Sequence, residues 1–194
     1  GVAGALSANH LKHTGELIDL SVLLIYGLWR GDMTGMGMFV ESTLENGREI
    51  GTSPREYAPE NLEVPDAIKK AKEYAEEYPN AMAFKVGSFY KMRENANFVK
   101  DIKKALYQYD LPLVTVKNGS SRHCELIVGW DEDIVFVDGA GFSGAGFYFE
   151  NLVQVYIVND PDPAKAQYNG ALVGWGGFWV DTLEAAEPYV VEAG

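Results

Sequence analysis

The sequence predicts an α+β fold, with helices gathered in the first half and short antiparallel strands in the second. Two observations carry this. Before residue 110 the apolar residues recur at helical spacing, interrupted by Gly and Pro stops. From Leu111 onward the pattern changes to brief β-rich runs separated by Gly, Asp and Asn turns. With 194 residues, the chain is long enough for one substantial core or for two small lobes sharing an interface.

The first helix is expected from Ala3 to His13, with Thr14-Gly15 as its stop. Asp19 or Ser21 can cap a second helix carrying Leu23, Leu24, Tyr26, Leu28 and Trp29. Gly31 to Gly37 reads as a loop, rich in glycine and methionine. A short helix from Phe39 to Leu44 is expected to end at Asn46-Gly47. Pro54, Pro59 and Pro65 then punctuate a long connection. Asp66 to Tyr78 is an amphipathic helix with Ile68, Ala71, Tyr74, Ala75 and Tyr78 near one face, ended by Pro79. Ala81 to Tyr90 reads as a strand. A further helix over Asn97 to Tyr109 turns Phe98, Ile102, Ala105, Leu106 and Tyr109 inward.

Five strands follow: Pro112 to Lys117, Cys124 to Trp130, Ile134 to Val137, Gly146 to Phe149 and Val153 to Val158. The tail from Pro161 contains Gly174-Trp175-Gly176-Gly177-Phe178-Trp179, read as a hairpin or an edge addition.

Composition narrows the function classes. A formal net charge of -12 repels phosphate backbones and argues against nucleic acid as a partner. No apolar run reaches the ~20 residues of a membrane-spanning helix, so no membrane partner is expected. Cys124 is the single cysteine, so no intrachain disulfide can form. One thiol and three scattered histidines make a structural zinc site an unattractive reading, and no metal or organic cofactor is implied. Gly139-Ala140-Gly141-Phe142-Ser143-Gly144 looks superficially like a phosphate loop, but it has no lysine and no obvious following helix.

Three separated segments carry a family resemblance. His123-Cys124-Glu125-Leu126-Ile127-Val128-Gly129-Trp130 places apolar residues after a histidine and ends in a glycine-aromatic pair. Val135-Phe136-Val137-Asp138-Gly139 is followed by Gly144-Ala145-Gly146-Phe147-Tyr148. Ala3-Gly4-Ala5-Leu6-Ser7-Ala8 opens the first helix. Together, in this order, they resemble the catalytic-histidine strand (H-A-V-x-x-V-G-Y), the orienting-asparagine block and the nucleophile helix (C-W-A-F-S-A) of papain-like cysteine peptidases. Thr14-Gly15-Glu16-Leu17-Ile18-Asp19-Leu20-Ser21 is similar to that family's T-G-x-L-x-x-L-S segment. Gly35-Met36-Gly37 stands where a glycine loop faces the substrate backbone. The resemblance covers about residues 3 to 158.

The resemblance implies a two-lobed fold: a helical N-terminal lobe, an antiparallel sheet or barrel C-terminal lobe, and a cleft between them. It divides the chain into a papain-like domain over residues 1–160, with a helical lobe over about 1–65 and a helix-plus-sheet lobe over about 66–160, and a C-terminal extension over 161–194. It also implies thiol-dependent hydrolysis of peptide bonds, with a peptide or protein as the partner. His123 is then the base and later the acid, and Asp138, replacing the usual asparagine, orients it. Gly35, Met36, Gly37, Arg122 and Cys124 line the substrate site. The nucleophile position falls on Ala3, which has no nucleophilic atom. The oxyanion-hole glutamine of the family belongs several residues before the nucleophile, a position preceding Gly1.

Bland roles stand beside these. His123 is alternatively a structural histidine, and Asp138 a turn residue before Gly139. Cys124 is read as packing or pocket lining, with nucleophile as the lesser alternative, because neighbours on one strand point to opposite faces. Three origins are open for Ala3: a disabled peptidase, a natural pseudo-peptidase used for binding or assembly, or a piece of a longer chain. The absence of disulfides resembles intracellular, microbial or viral relatives. Oligomeric state is not legible.

Overall fold

In the computed structural model, residues 1–92, 94, 96, 98–107, 113–117, 123–138, 145–159 and 179–180 are described. Helix α1 (Val2–Thr14) buries Val2, Ala5, Leu6 and Asn9, the i, i+3, i+4, i+7 seam of an amphipathic helix. Gly15 ends it in the left-handed region at φ 75, donating its N–H to Leu11 O at 2.8 Å. Helix α2 (Val22–Leu28) is capped by Ser21, whose Oγ accepts from Leu24 N at 3.3 Å and donates to Ala58 O at 2.8 Å.

Helix α3 (Val40–Glu49) overruns the stop expected at Asn46-Gly47. Both residues are used by tertiary contacts instead. Asn46 Nδ2 donates to Trp29 O at 2.8 Å. A Cβ on Gly47 would lie 2.5 Å from the buried Trp29 ring, so glycine here makes room for indole.

Helix α4 (Asp66–Glu77) presents Ala67 and Ala71, both fully buried, to α2. The inward face is therefore rotated slightly from the one expected, and Tyr78 is exposed. Packing of α4 on α2 also attaches it to the helical half.

The strands are β1 (Ser88–Met92), β2 (Leu113–Lys117), β3 (His123–Asp131), β4 (Ile134–Asp138), β5 (Ala145–Tyr148), β6 (Leu152–Asn159) and β7 (Trp179–Val180). Helix α5 (Phe98–Tyr107) lies between β1 and β2 in the chain. The expected strand from Ala81 to Tyr90 is shorter and displaced. Phe84 makes only an isolated bridge to Thr52, and Val86 donates its N–H to Gly47 O at 3.0 Å. Residues 81–87 therefore bond to the helical half and reach the sheet only at Ser88.

Among the described residues one seven-stranded sheet results, in the order β5-β4-β3-β2-β6-β1-β7. Every described neighbour pair is antiparallel except β1 with β7. The two-residue β7 is an edge addition, and the rest of the expected tail hairpin lies outside the described residues.

The pleat sorts the core into two layers. Leu113, Ile127, Val135, Val137, Val155 and Ile157 meet Ile102 and Ala105 of α5. On the other face Val114, Val116, Tyr156 and Val158 meet Ala5 and Leu6 of α1, together with Trp29 and Leu44. Each fully buried Leu, Ile or Val contributes about 1.5–3 kcal/mol. Asn9 fixes α1 in place by donating from Nδ2 to Val158 O of β6 at 2.8 Å.

Candidate active site

The start of α1 lies on the middle of the sheet, against β3. The seam of α1 is apolar except for Asn9, and small residues at its N-terminal end let the backbone approach closely. A Cβ on Gly1 would lie 2.7 Å from Cys124 Sγ and 3.0 Å from Cys124 O. One on Gly4 would lie 3.2 Å from Leu126 Cδ2. Ala3, Cys124 and Leu126 pack against the same core.

Alternation along β3 decides which side chains face the helix. Cys124 and Leu126 are on the α1 side, while Glu125 and Ile127 are buried on the α5 side. His123 has the parity of Glu125 and is the first residue of the strand, partly buried. Cys124 and Leu126 are thus the β3 side chains against the first turn of α1, Cys124 beside Gly1 and Leu126 beside Gly4. Asp138 is the last residue of β4 and pairs with Leu126, three positions along β3 from His123.

The Cys124 thiol is subject to opposing influences. Burial, the largest, pushes its pKa up, and the nearby Glu125 carboxylate adds to this. The amino group of Gly1 and the Val2 N–H, which donates to the sulfur, pull the other way. The net direction is upward, so the thiol is held protonated.

Gly35, Met36 and Gly37 lie on the exposed loop between α2 and α3. The loop is tied from within. The buried Arg30 guanidinium donates to Met33 O at 3.2 Å, to Tyr26 O at 3.4 Å and to Gly35 O. Tyr26 OH donates to Met36 O at 2.9 Å. Sequence reasoning did not single out Arg30 or Tyr26, although an arginine just past a helix end beside a Gly-rich loop is a usable signal. Arg122 and residues 139–144, including Gly139, lie outside the described residues.

A second polar group also escaped the sequence. Tyr156 of β6 is buried, and its hydroxyl stands 3.3 Å from Glu41 Oε2 of α3 and 3.4 Å from Gln154 Oε1. Burial and the Glu41 carboxylate raise the pKa of this phenol well above its ordinary value. Glu41 and Tyr156 are 115 positions apart, so no local pattern joins them. Among the described residues, no group of three or more His, Cys, Asp or Glu is arranged to hold a metal ion.

No protein-family model matches the chain, and no curated protein matches it. Among solved structures it is similar to the cysteine protease CMS1MS2 of Carica candamarcensis in complex with E-64. The two share 15% sequence identity over 83% of this chain and 87% of that one, with a TM-score of 0.57. At this identity the likeness concerns the fold, which is that of the papain-like cysteine proteases: helices and an antiparallel sheet in an α+β arrangement.

Proposed function

We propose that this chain is a papain-like cysteine peptidase scaffold whose chemistry is peptide-bond hydrolysis by a thiol at position 3, and which is inactive with Ala3 in place. The observation that carries this is the seating of the α1 N-terminus on β3, the strand that begins with His123. A helix N-terminus concentrates partial positive charge and N–H donors, the setting in which a thiol becomes a thiolate. In this reading a helical lobe (about residues 1–65) faces a helix-plus-sheet lobe (about residues 66–160), and substrate lies in the cleft where α1 meets the sheet.

His123 takes the thiol proton and returns it to the leaving amine, reaching round the start of β3 to do so. Asp138 holds the imidazole in one tautomer. Gly35, Met36 and Gly37 lie along the substrate backbone, and Cys124 and Arg122 shape the pocket for its side chain. Within the C-terminal extension, Trp179 and Val180 pair with β1 as β7. No cofactor takes part.

The test is Ala3→Cys followed by incubation with E-64 and intact-mass analysis. One adduct at the introduced thiol is expected, and adding His123→Ala slows labelling by about 10²-fold. The unsubstituted chain, with Cys124 held protonated, remains unlabelled at neutral pH. A folded Ala3→Cys protein that stays unlabelled would overturn the enzymatic reading. Ala3 itself favours a second reading, in which the cleft holds a peptide without cutting it. That reading requires the unsubstituted chain to bind peptides and leave them intact.

A further inference from the structure

Two side chains hold the loop between α2 and α3, and the way they hold it fixes where its backbone N–H groups point. The buried Arg30 guanidinium spreads its donors over three carbonyls: Nε to Met33 O at 3.2 Å, Nη1 to Tyr26 O at 3.4 Å and Nη2 to Gly35 O. The carbonyl of the next residue, Met36, accepts from Tyr26 OH at 2.9 Å. The two holders brace each other, with the guanidinium carbon of Arg30 4.9 Å from the centroid of the Tyr26 ring. Two successive loop carbonyls are therefore engaged by one unit made of Arg30 and Tyr26.

A trans peptide group sets its N–H opposite its C=O. The groups joining Gly35 to Met36 and Met36 to Gly37 are both trans. The Met36 N–H therefore points away from the Arg30 guanidinium, and the Gly37 N–H away from the Tyr26 hydroxyl. Among the described residues neither N–H has an acceptor within the chain. Approach from outside is open: residues 35 to 37 are exposed, and a Cβ on Gly35 or Gly37 would meet nothing within 4 Å. Polarisation adds to orientation. A carbonyl that accepts from a guanidinium makes the N–H of the same peptide group a stronger donor. Arg30 thus acts on the Met36 N–H through its bond to Gly35 O.

We propose that Arg30 and Tyr26 are positioning residues for peptide binding: by holding the Gly35 and Met36 carbonyls, they present the Met36 and Gly37 N–H groups as two successive donors to the carbonyls of a bound peptide. The role needs arginine. Three acceptors lie around one planar fork, which a lysine ammonium on a flexible stem does not span. This rests on the cleft reading above and adds to it two residues that act through the loop without touching the peptide.

The experiment uses the Ala3→Cys chain and two reagents. E-64 is an epoxide on a peptide-like backbone, whereas iodoacetamide alkylates a thiol and has no peptide chain to be held. Labelling rates against E-64 concentration, followed by intact mass, separate the binding constant KI from the limiting rate kinact. Arg30→Lys should raise KI about three- to tenfold, the range of one or two lost backbone hydrogen bonds, and keep kinact and the iodoacetamide rate within about twofold. Tyr26→Phe keeps the ring beside Arg30 and removes only the hydroxyl, so KI should rise about two- to threefold. An unchanged KI in a folded Arg30→Lys or Tyr26→Phe would overturn the positioning role and leave the cleft reading standing. So would an iodoacetamide rate that falls in step with the E-64 rate, which marks a general distortion. If Arg30→Lys does not fold, Tyr26→Phe alone decides. An Ala3→Cys protein that E-64 leaves unlabelled would overturn both readings.

Discussion

The close approach of α2 and α4 gives the sharpest test of how the helical half is held together. Gly27 sits in α2, where replacing glycine by alanine ordinarily gains about 1 kcal/mol in helix propensity. Here the new Cβ would lie 2.5 Å from Ala71 Cβ and 2.6 Å from Ala67 O. Reaching an ordinary contact of 3.4 Å requires the helices to part by 0.8–0.9 Å, the difference between 3.4 and those two distances. One of the obstacles is backbone, so a rotamer change cannot relieve it. Separation by about 0.5–1 Å forfeits a quarter to a half of each dispersion contact across the interface, and overpacking of this kind costs about 1–3 kcal/mol. The steric cost wins. Gly27→Ala should destabilise the protein by up to about 2 kcal/mol, read as a fall in Tm of up to about 8 °C for a chain of this size. Differential scanning calorimetry, with urea titration as a second measure, checks it. Adding Ala71→Gly removes one of the two clashes and should recover part of the loss. A Gly27→Ala protein more stable by the full propensity gain would refute the packing argument.

Three other substitutions probe the exposed loop and the titration of the surface. A Cβ at Gly35 or Gly37 meets nothing within 4 Å, and neither residue has a positive φ. Gly35→Ala and Gly37→Ala should therefore leave stability unchanged or raise it by less than about 1 kcal/mol. If the loop lines the substrate backbone, both should weaken peptide binding several-fold, and unchanged binding would remove the loop from the site. Tyr74 is pushed up to about 12 from an ordinary 10.0, chiefly by its hydrogen bond to the Glu60 carboxylate. Because the folded-state pKa is the higher one, the stability it contributes is complete below pH 10.0 and is lost as pH rises towards about 12. Glu60→Gln should return one tyrosine to ordinary titration in the phenolate absorbance, and an unaltered titration curve would contradict the assignment.

What the sequence could and could not reveal follows from the range of the interactions. Ser21 as a cap, Gly15 as a stop and the inward Ile102 and Ala105 of α5 are local matters, and each is found where periodicity and turn chemistry put it. The end of α3 was misread because Asn46-Gly47 carries a local stop signal that a distant indole overrides. Residues 81–87 have strand-like alternation, but their partners, Thr52 and Gly47, belong to the helical half. The motif segments around Ala3, His123 and Asp138 were visible as sequence. What could not be seen was the sheet register that sets Cys124, Val116 and Gln154 in one row, since the pairing of Val116 with Gln154 joins strands far apart in the chain.

That register also bears on whether Cys124 can replace the thiol missing at position 3. Proximity to the helix N-terminus favours it: the Val2 N–H donates to its sulfur, and its strand neighbour is the candidate base. Burial opposes it, and burial is the larger influence, so the net shift of the thiol is upward. A nucleophilic cysteine needs the opposite balance, a lowered pKa with access to substrate. Geometry adds a second obstacle. Cys124 faces α1 while His123 has the parity of the α5 side, so the pleat turns base and thiol away from each other. A thiol at position 3 would lie in the first turn of α1, on the same face as Cys124, so in the proposed reading the imidazole has to reach it round the start of β3. The seat of the one cysteine at the helix start is therefore a packing position.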